Sequence, residues 1–381
     1  MIVYDLAWHS TEGWTTAHAD PASHWVLYFA SRAALQSDAS IYAGLREKFP
    51  LACLIGCSTG GQICGDDMDD ETPVAVAVKF ERTRLKFHAA EIAAGADSRA
   101  VGREIGERLD AADLAGIFLL SDGLAVNGSE LVAGIVAAIG SLAPVCGGLA
   151  GDGSQFAATL VGADALPRAN VIAALGFYGD KTVIGSGSAG GWSVFGPRRV
   201  ITKARDNVLY ELDGQRALDL YLRYLGPEDS AELPGSALLY PLRIRDPENT
   251  AEEIVRTVLG VDFDEGSMRF AGNMPLGWSA ELMRGSRDGL VAGAGAAARQ
   301  AIASKGPRSG EGLAVIISCI GRRLLMGQSV YEEIEAASSM LGGRYHKIGF
   351  YSYGEISPHA ATGAPVLHNQ TMTLMTLGEA A

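Results

Sequence analysis

The residue types best able to do chemistry crowd the stretch from Gly312 to Thr376. Cys319 stands just before Gly321, Arg322 and Arg323. Neighbouring cations lower a thiol's pKa and raise its reactivity. With His346, His359 and His368 in the same region, a Cys–His nucleophilic pair is one chemistry within reach. No cysteine-hydrolase signature surrounds Cys319, and an inert buried thiol is the plainer reading. A second chemistry is ligand capture. An arginine fork holds a carboxylate in two hydrogen bonds. Arg322 could do this while Glu355 accepts from an ammonium group. Tyr351 and Tyr353 supply apolar walls with polar tips, and Asn369 and Thr371 add donors and acceptors from one strand face. Cys319, Arg322, Tyr351, Tyr353, Glu355, Asn369 and Thr371 thus form a candidate pocket suited to a zwitterion such as an amino acid. An internal Arg322–Glu355 pair without ligand is the competing reading. Asp122 and Asp152, at the ends of strand-like runs, could contact a ligand amine or cap turns.

Other motifs carry less. Gly147 to Gly153 is glycine-rich but lacks the Gly-Lys-Ser/Thr ending of a phosphate loop. Ser121-Asp122 lacks the Gly-x-Ser-x-Gly elbow of a serine hydrolase. Cys53, Cys57 and Cys64 read as small apolar residues of a strand and turn rather than a metal tract.

These residues sit in three islands that read as strands: Leu313 to Arg323, Gly349 to Ile356 and Leu367 to Thr373. Alternation would put Tyr351, Tyr353 and Glu355 on one strand face. Arg322 and Arg323 would mark the end of the first island, pointing oppositely, with at most one facing a pocket. Ser329 to Glu332 has the spacing of a capping box opening a helix, with Val330, Ile334, Ala337 and Leu341 as its stripe. Asn127 to Glu130 has the same spacing. Strands are expected at Trp25 to Ala30, Leu51 to Cys57, Pro73 to Phe80, Leu85 to Glu91, Gly116 to Ser121, Ala157 to Val161, Val171 to Phe177 and Thr182 to Phe195. Gly214 to Leu225 reads as a helix, Gly226 to Gly235 as a loop, and Lys305 to Gly312 as another loop. The order helix, apolar strand ending in polar residues, helix, glycine-rich strand recurs in both halves. The fold class expected is therefore α+β: two related α/β modules with mostly antiparallel sheets covered by helices. Their polar strand ends would face each other across a cleft, a favoured place for a small-molecule pocket.

The chain has 381 residues, 48% of them apolar and 20% charged, the composition of a globular protein. Its 31 basic and 44 acidic residues give a formal charge of −13, which argues against a nucleic-acid surface or an anionic-membrane anchor. Five cysteines, with no CxxC pair, fit reduced thiols in a cytoplasm. No signal peptide is read at the N-terminus, and no run is long enough to cross a bilayer.

Nearly the whole chain resembles the FIST family, named for F-box and intracellular signal transduction proteins. Leu54 to Ile63, Leu120 to Leu124, and Gly147 to Phe156 with Thr159 resemble its N-terminal domain. Ser318 to Arg322, Gly349 to Ile356 and His368 to Thr371 resemble its C-terminal domain. The resemblance implies a FIST N-terminal domain over 1–213 and a FIST C-terminal domain over 214–381. It implies a non-enzymatic sensor that binds a small ligand, with amino acids or their derivatives as the proposed class and no bound cofactor. Some members look like haem-containing nitric-oxide sensors. For that alternative, non-covalent haem b would use His88 or His368 as axial ligand. Neither an output domain nor an F-box is recognised, so a separate signalling partner is expected.

Overall fold

The computed structural model describes residues 1–380 apart from 17, 94, 141–142, 234, 250–252 and 306–309. Three six-stranded sheets form the body of the molecule, and a nine-stranded sheet is built from strands between Ser193 and Arg284. The α+β class is what the structure shows. The loop expected from Lys305 to Gly312 falls largely outside the described residues.

The three body sheets repeat one plan. In each, a central strand runs parallel to the strand that follows it through one or two helices, and is flanked on its other side by an antiparallel return strand. The central strands are Trp25–Ser31, Leu114–Ser121 and Gly312–Cys319. Their parallel partners are Cys53–Thr59, Val145–Leu149 and Tyr345–Ser352. Their return strands are Val74–Lys79, Val171–Tyr178 and Met372–Glu379. An outer strand closes each set: Ile2–His9, Arg84–Glu91 and Thr182–Ala189. The echo read between the two halves is present as the second and third copies. The first copy, at the N-terminus, repeats the same order.

The units also exchange strands in a ring. After its parallel strand, each unit sends a short strand into the next sheet. Gln62–Cys64 pairs with Tyr345–Ser352, Val161–Ala163 with Cys53–Thr59, and Gly354–Pro358 with Val145–Leu149. Three backbone hydrogen bonds close the ring: Gly60 to Tyr351 at 2.8 Å, Gly151 to Ser58 at 2.9 Å and Tyr353 to Leu149 at 3.2 Å. Strands from either side of residue 213 therefore share sheets. The ring has an apolar centre. Trp25 packs on Phe118 and Phe177, and Phe29 on Phe350, with ring centroids 4.6–5.5 Å apart. These rings are fully buried, and aromatic pairs at such separations add to the stabilisation from area burial alone.

Local readings fare unevenly. Asn127 caps the helix Gly128–Ala138 by accepting from the amides of Ser129 and Glu130. Glu130 does not reach back, because Arg99 and the Asn273 side chain hold its carboxylate. Ser329 caps nothing. It lies in a 3-10 turn, and the helix starts at Tyr331 with Val330 as a cap that makes no side-chain bond. Glu332 turns instead to Arg287. The apolar stripe of that helix is as expected, with Ile334, Ala337 and Leu341 buried. We expect Asn127→Ala to cost about 1 kcal/mol and Ser329→Ala less than about 0.5 kcal/mol, read as shifts in denaturation midpoint at constant slope. Equal shifts would contradict these cap assignments. The loop expected after Leu225 is helical in its first part: the helix Ala217–Ala231 runs on through a kink at Gly226-Pro227. Proline is tolerated there because the kink begins a new first turn. Strand expectation also fails at Ala157 to Leu160, where the short strand starts at Val161.

Candidate functional site

The polar ends of the central strands converge where the ring closes. Ser31 and Cys319 are the last paired residues of their central strands and Asp122 follows the last one of its own, and each starts the next turn. Ser31 accepts from the Ala34 amide. Asp122 accepts from Leu124 and Ala125 with one oxygen and from Asn170 with the other, all at 2.8–2.9 Å. Its carboxylate is thus fully engaged in holding turns. Cys319 is the N-cap of the helix Ile320–Met326, without a side-chain bond. Burial, and then the nearby Glu355, push its thiol well above the ordinary range. That is the opposite of the activation a Cys nucleophile needs.

Arg322 and Arg323 lie on that helix and not at the end of the strand, so helical spacing separates them. Arg322 is completely buried. Its Nε and Nη2 donate to Glu333 at 2.9 and 2.7 Å, Nη2 also reaches the Leu290 carbonyl, and Nη1 donates to the Gly190 carbonyl. Glu333 in turn accepts from Ser318 at 3.0 Å and Tyr351 at 2.8 Å. The internal partner of Arg322 is Glu333, not Glu355. Arg323 makes a fork with Asp70 at 2.6 Å, reaches the Gly60 carbonyl, and lies over the Tyr351 ring.

The second island does not keep one strand face. Tyr345–Ser352 belongs to one sheet and Gly354–Pro358 to another, and the chain crosses between them at Tyr353. Tyr351, Tyr353 and Glu355 consequently part. Tyr353 stacks on Phe156 at 4.4 Å and donates to Asp152. The other oxygen of Asp152 accepts from the amides of Ala157 and Ala158. Asn369 and Thr371 do not share a strand face either. They lie in the turn before Met372–Glu379, where Gln370 takes a left-handed φ of 62°. Asn369 is buried, and neither atom of its amide has a protein partner.

Glu355 is fully buried and forms no ion pair among the described residues, with Arg322 acting on it only at a distance. Ser352 donates to one oxygen at 2.7 Å, and the Thr371 hydroxyl and amide donate to the other at 2.9 and 3.1 Å. Burial outweighs these bonds and pushes its carboxyl up to about 8.

Thr371 carries this group to the wall of a cavity of about 390 Å³. Trp192, Met283, Val255, His359 and His368 supply other parts of the wall. Trp192 donates from its indole to the Gln370 carbonyl at 2.8 Å. Gly191 makes that turn possible. Its φ is +87°, and a Cβ there would lie 1.9 Å from the Gly289 carbonyl oxygen. The Arg322 bond to Gly190 braces the same wall from behind. His359 and His368 stack with ring centroids 6.1 Å apart. His359 is spent: Nε2 donates to the Glu253 carbonyl and Nδ1 accepts from the Ala361 amide. His368 Nε2 bonds the Ser357 carbonyl at 3.2 Å. Burial, with His359 and Arg256 close by, pulls the His368 pKa down to about 3, so its ring is neutral.

Each histidine named for the haem alternative has one ring nitrogen already engaged. His88 lies on an outer strand with Nε2 against Glu104, and His368 has Nε2 committed to Ser357. No cluster of three metal-ligating side chains occurs among the described residues.

The sequence reading missed Trp192, Met283 and Arg256. A glycine pair immediately before a tryptophan was the available signal for the first. Arg256 is buried, and among the described residues it meets no carboxylate. Carbonyls of Asn273, Val255 and Leu367 and the Ser129 hydroxyl surround it. Burial pulls its pKa down to about 10, which leaves it charged.

A model of the FIST N domain matches residues 24–215, and a model of the FIST C domain matches residues 217–358. No curated protein matches the chain. No helix among the described residues is long and apolar enough to cross a membrane.

Proposed function

The chain belongs to the FIST family, whose domains are sensory domains of signal transduction, and from that premise we propose that it senses a small organic ligand held in the cavity between Trp192 and His368. The observation that carries the reading is the make-up of that wall: an indole and a thioether beside a buried neutral imidazole and a hydroxyl backed by a carboxyl. Mostly apolar walls with a few convergent polar groups are the usual make-up of a small-molecule site. A derivative of an amino acid in which the charges are masked suits this wall better than the free zwitterion, because Arg322 is already bound to Glu333. All five cysteines are free, which supports a cytoplasmic setting, and the signal would pass to a separate output protein.

A thermal-shift screen of amides, lactams and esters of amino acids tests the reading. A compound at a hundred times its dissociation constant stabilises the folded state by about 2.7 kcal/mol. We expect a hit, and we expect Ala361→Trp, at the cavity wall, to abolish its effect. A hit that stabilises the variant equally would place the ligand elsewhere and refute the cavity assignment.

A further inference from the structure

The hydrogen bonds around His368 fix what it can offer a ligand. The Ser357 carbonyl only accepts, so the proton of the neutral ring must sit on Nε2. Nδ1 is then a bare acceptor, it has no protein partner, and the ring that bears it is 6% exposed in the cavity wall. Among the other side chains of the wall, the Trp192 indole is committed to Gln370, both nitrogens of His359 to backbone, the Thr371 hydroxyl to Glu355 and the Glu253 carboxylate to Arg243 and Arg245; the Ser188 hydroxyl is a second polar group on the wall. No lysine or arginine lines the cavity among the described residues. An anion would meet the lone pair of Nδ1 with no cation in the wall. A cation would find the one carboxylate of the wall among the described residues, Glu253, already paired with Arg243 and Arg245, and would lie near the buried Arg256, whose Nη1 bonds the carbonyl of Leu367, the residue before His368. Both charges are therefore disfavoured beside the buried His368 ring.

We infer that His368 Nδ1 is the specificity-determining atom of the cavity, and that it selects an uncharged ligand bearing an N–H or O–H donor next to an apolar body that packs on Trp192. This rests on the proposed use of the cavity and names the ligand class it takes. A site built to hydrogen-bond one ligand group rejects the analogue lacking it, because its own buried polar atom is then left unpaired. An amide N–H would complete the set without moving any group that already has a partner.

The test uses the whole chain and four small probes: 2-pyrrolidinone, N-methyl-2-pyrrolidinone, pyrrolidine as cation and butyrate as anion. Side-chain nitrogen NMR follows the His368 Nδ1 resonance at millimolar probe. 2-Pyrrolidinone should move that resonance, and the other three should leave it in place. His368→Gln keeps a donor for Ser357 and an acceptor for the ligand, so it should retain the affinity within about threefold. His368→Phe should lose about tenfold or more, the value of one hydrogen bond to a buried partner. Equal binding of the N-methyl probe, or equal affinity of the Phe and Gln variants, would overturn the inference. A lactam that binds and is blocked by Ala361→Trp, yet leaves Nδ1 unmoved, would overturn it while leaving the cavity reading intact. A lactam that binds in spite of Ala361→Trp would instead sink the cavity reading itself.

Discussion

Glu333→Leu will lower the stability of the fold by about 3–5 kcal/mol, the usual cost of leaving one member of a buried pair alone. Arg322 has no exposed atom to relax toward water, so its charge cannot escape. Glu333 is also the acceptor for Ser318 and Tyr351, and both hydroxyls lose their partner with it. These four side chains, Arg322, Glu333, Ser318 and Tyr351, tie the central strand, its parallel partner and two helices together. The double variant Arg322→Met/Glu333→Leu should recover a large part of the loss. It removes the charge along with its partner, and apolar replacement of a whole buried pair is often neutral. Urea denaturation of wild type, both single variants and the double variant makes a complete cycle. Additive losses would mean that the pair is not the coupled unit described here. The same set bears on ligand recognition. Arg322 does not line the cavity, but it bonds Gly190 in the wall. Its substitution should weaken ligand binding only through the wall's geometry.

The class of the fold was legible because its signal is local. Apolar runs, glycine pairs and capping spacings mark strands and turns residue by residue, and the buried stripe Ile334, Ala337, Leu341 was readable from helical spacing alone. Strand exchange was not legible. Gln62–Cys64 pairs with a strand about 280 residues away, and nothing in three residues encodes that partner. The site suffered the same limit. Alternation put Tyr351 and Glu355 together because it assumes one unbroken strand, but the chain changes sheets at Tyr353. The two arginines were misplaced because the first island turns into a helix at Ile320. Sequence spacing could show that an arginine would be buried near the islands. It could not show that Glu333, eleven residues on from Arg322, already waits for it. Nor could it bring Trp192 beside His368, since the inserted sheet from Ser193 to Arg284 separates the outer strand of that unit from the rest of it.

Glu355→Gln should make the protein more stable than the wild type at pH 9, and the gain should shrink to about 1 kcal/mol at pH 5. The folded-state carboxyl is raised to about 8, against an unfolded value near 4.3. Between those values the folded chain holds a proton that the unfolded chain has released. Stability contributed by this group is therefore fully present below about pH 4 and is lost as the pH rises through 8. The difference corresponds to roughly 3–5 kcal/mol of alkaline destabilisation. Glutamine keeps an acceptor for the Thr371 amide and hydroxyl and offers Ser352 a donor in place of an acceptor, but it cannot ionise. Ser352 can reverse its hydroxyl to accept, so the local bonds survive the change. Asp20 and Glu379 have lowered carboxyls and contribute in the opposite sense, but their influence ends below pH 5 and does not overlap this window. Chemical denaturation of both proteins from pH 5 to pH 9.5 gives the two curves. They should lie about 1 kcal/mol apart at pH 5, draw further apart through neutrality and keep a constant separation above about pH 8, with the variant on top. Parallel curves would mean that Glu355 is ionised in the folded protein across the whole range, and that the two hydroxyls and the Thr371 amide suffice to stabilise a buried carboxylate.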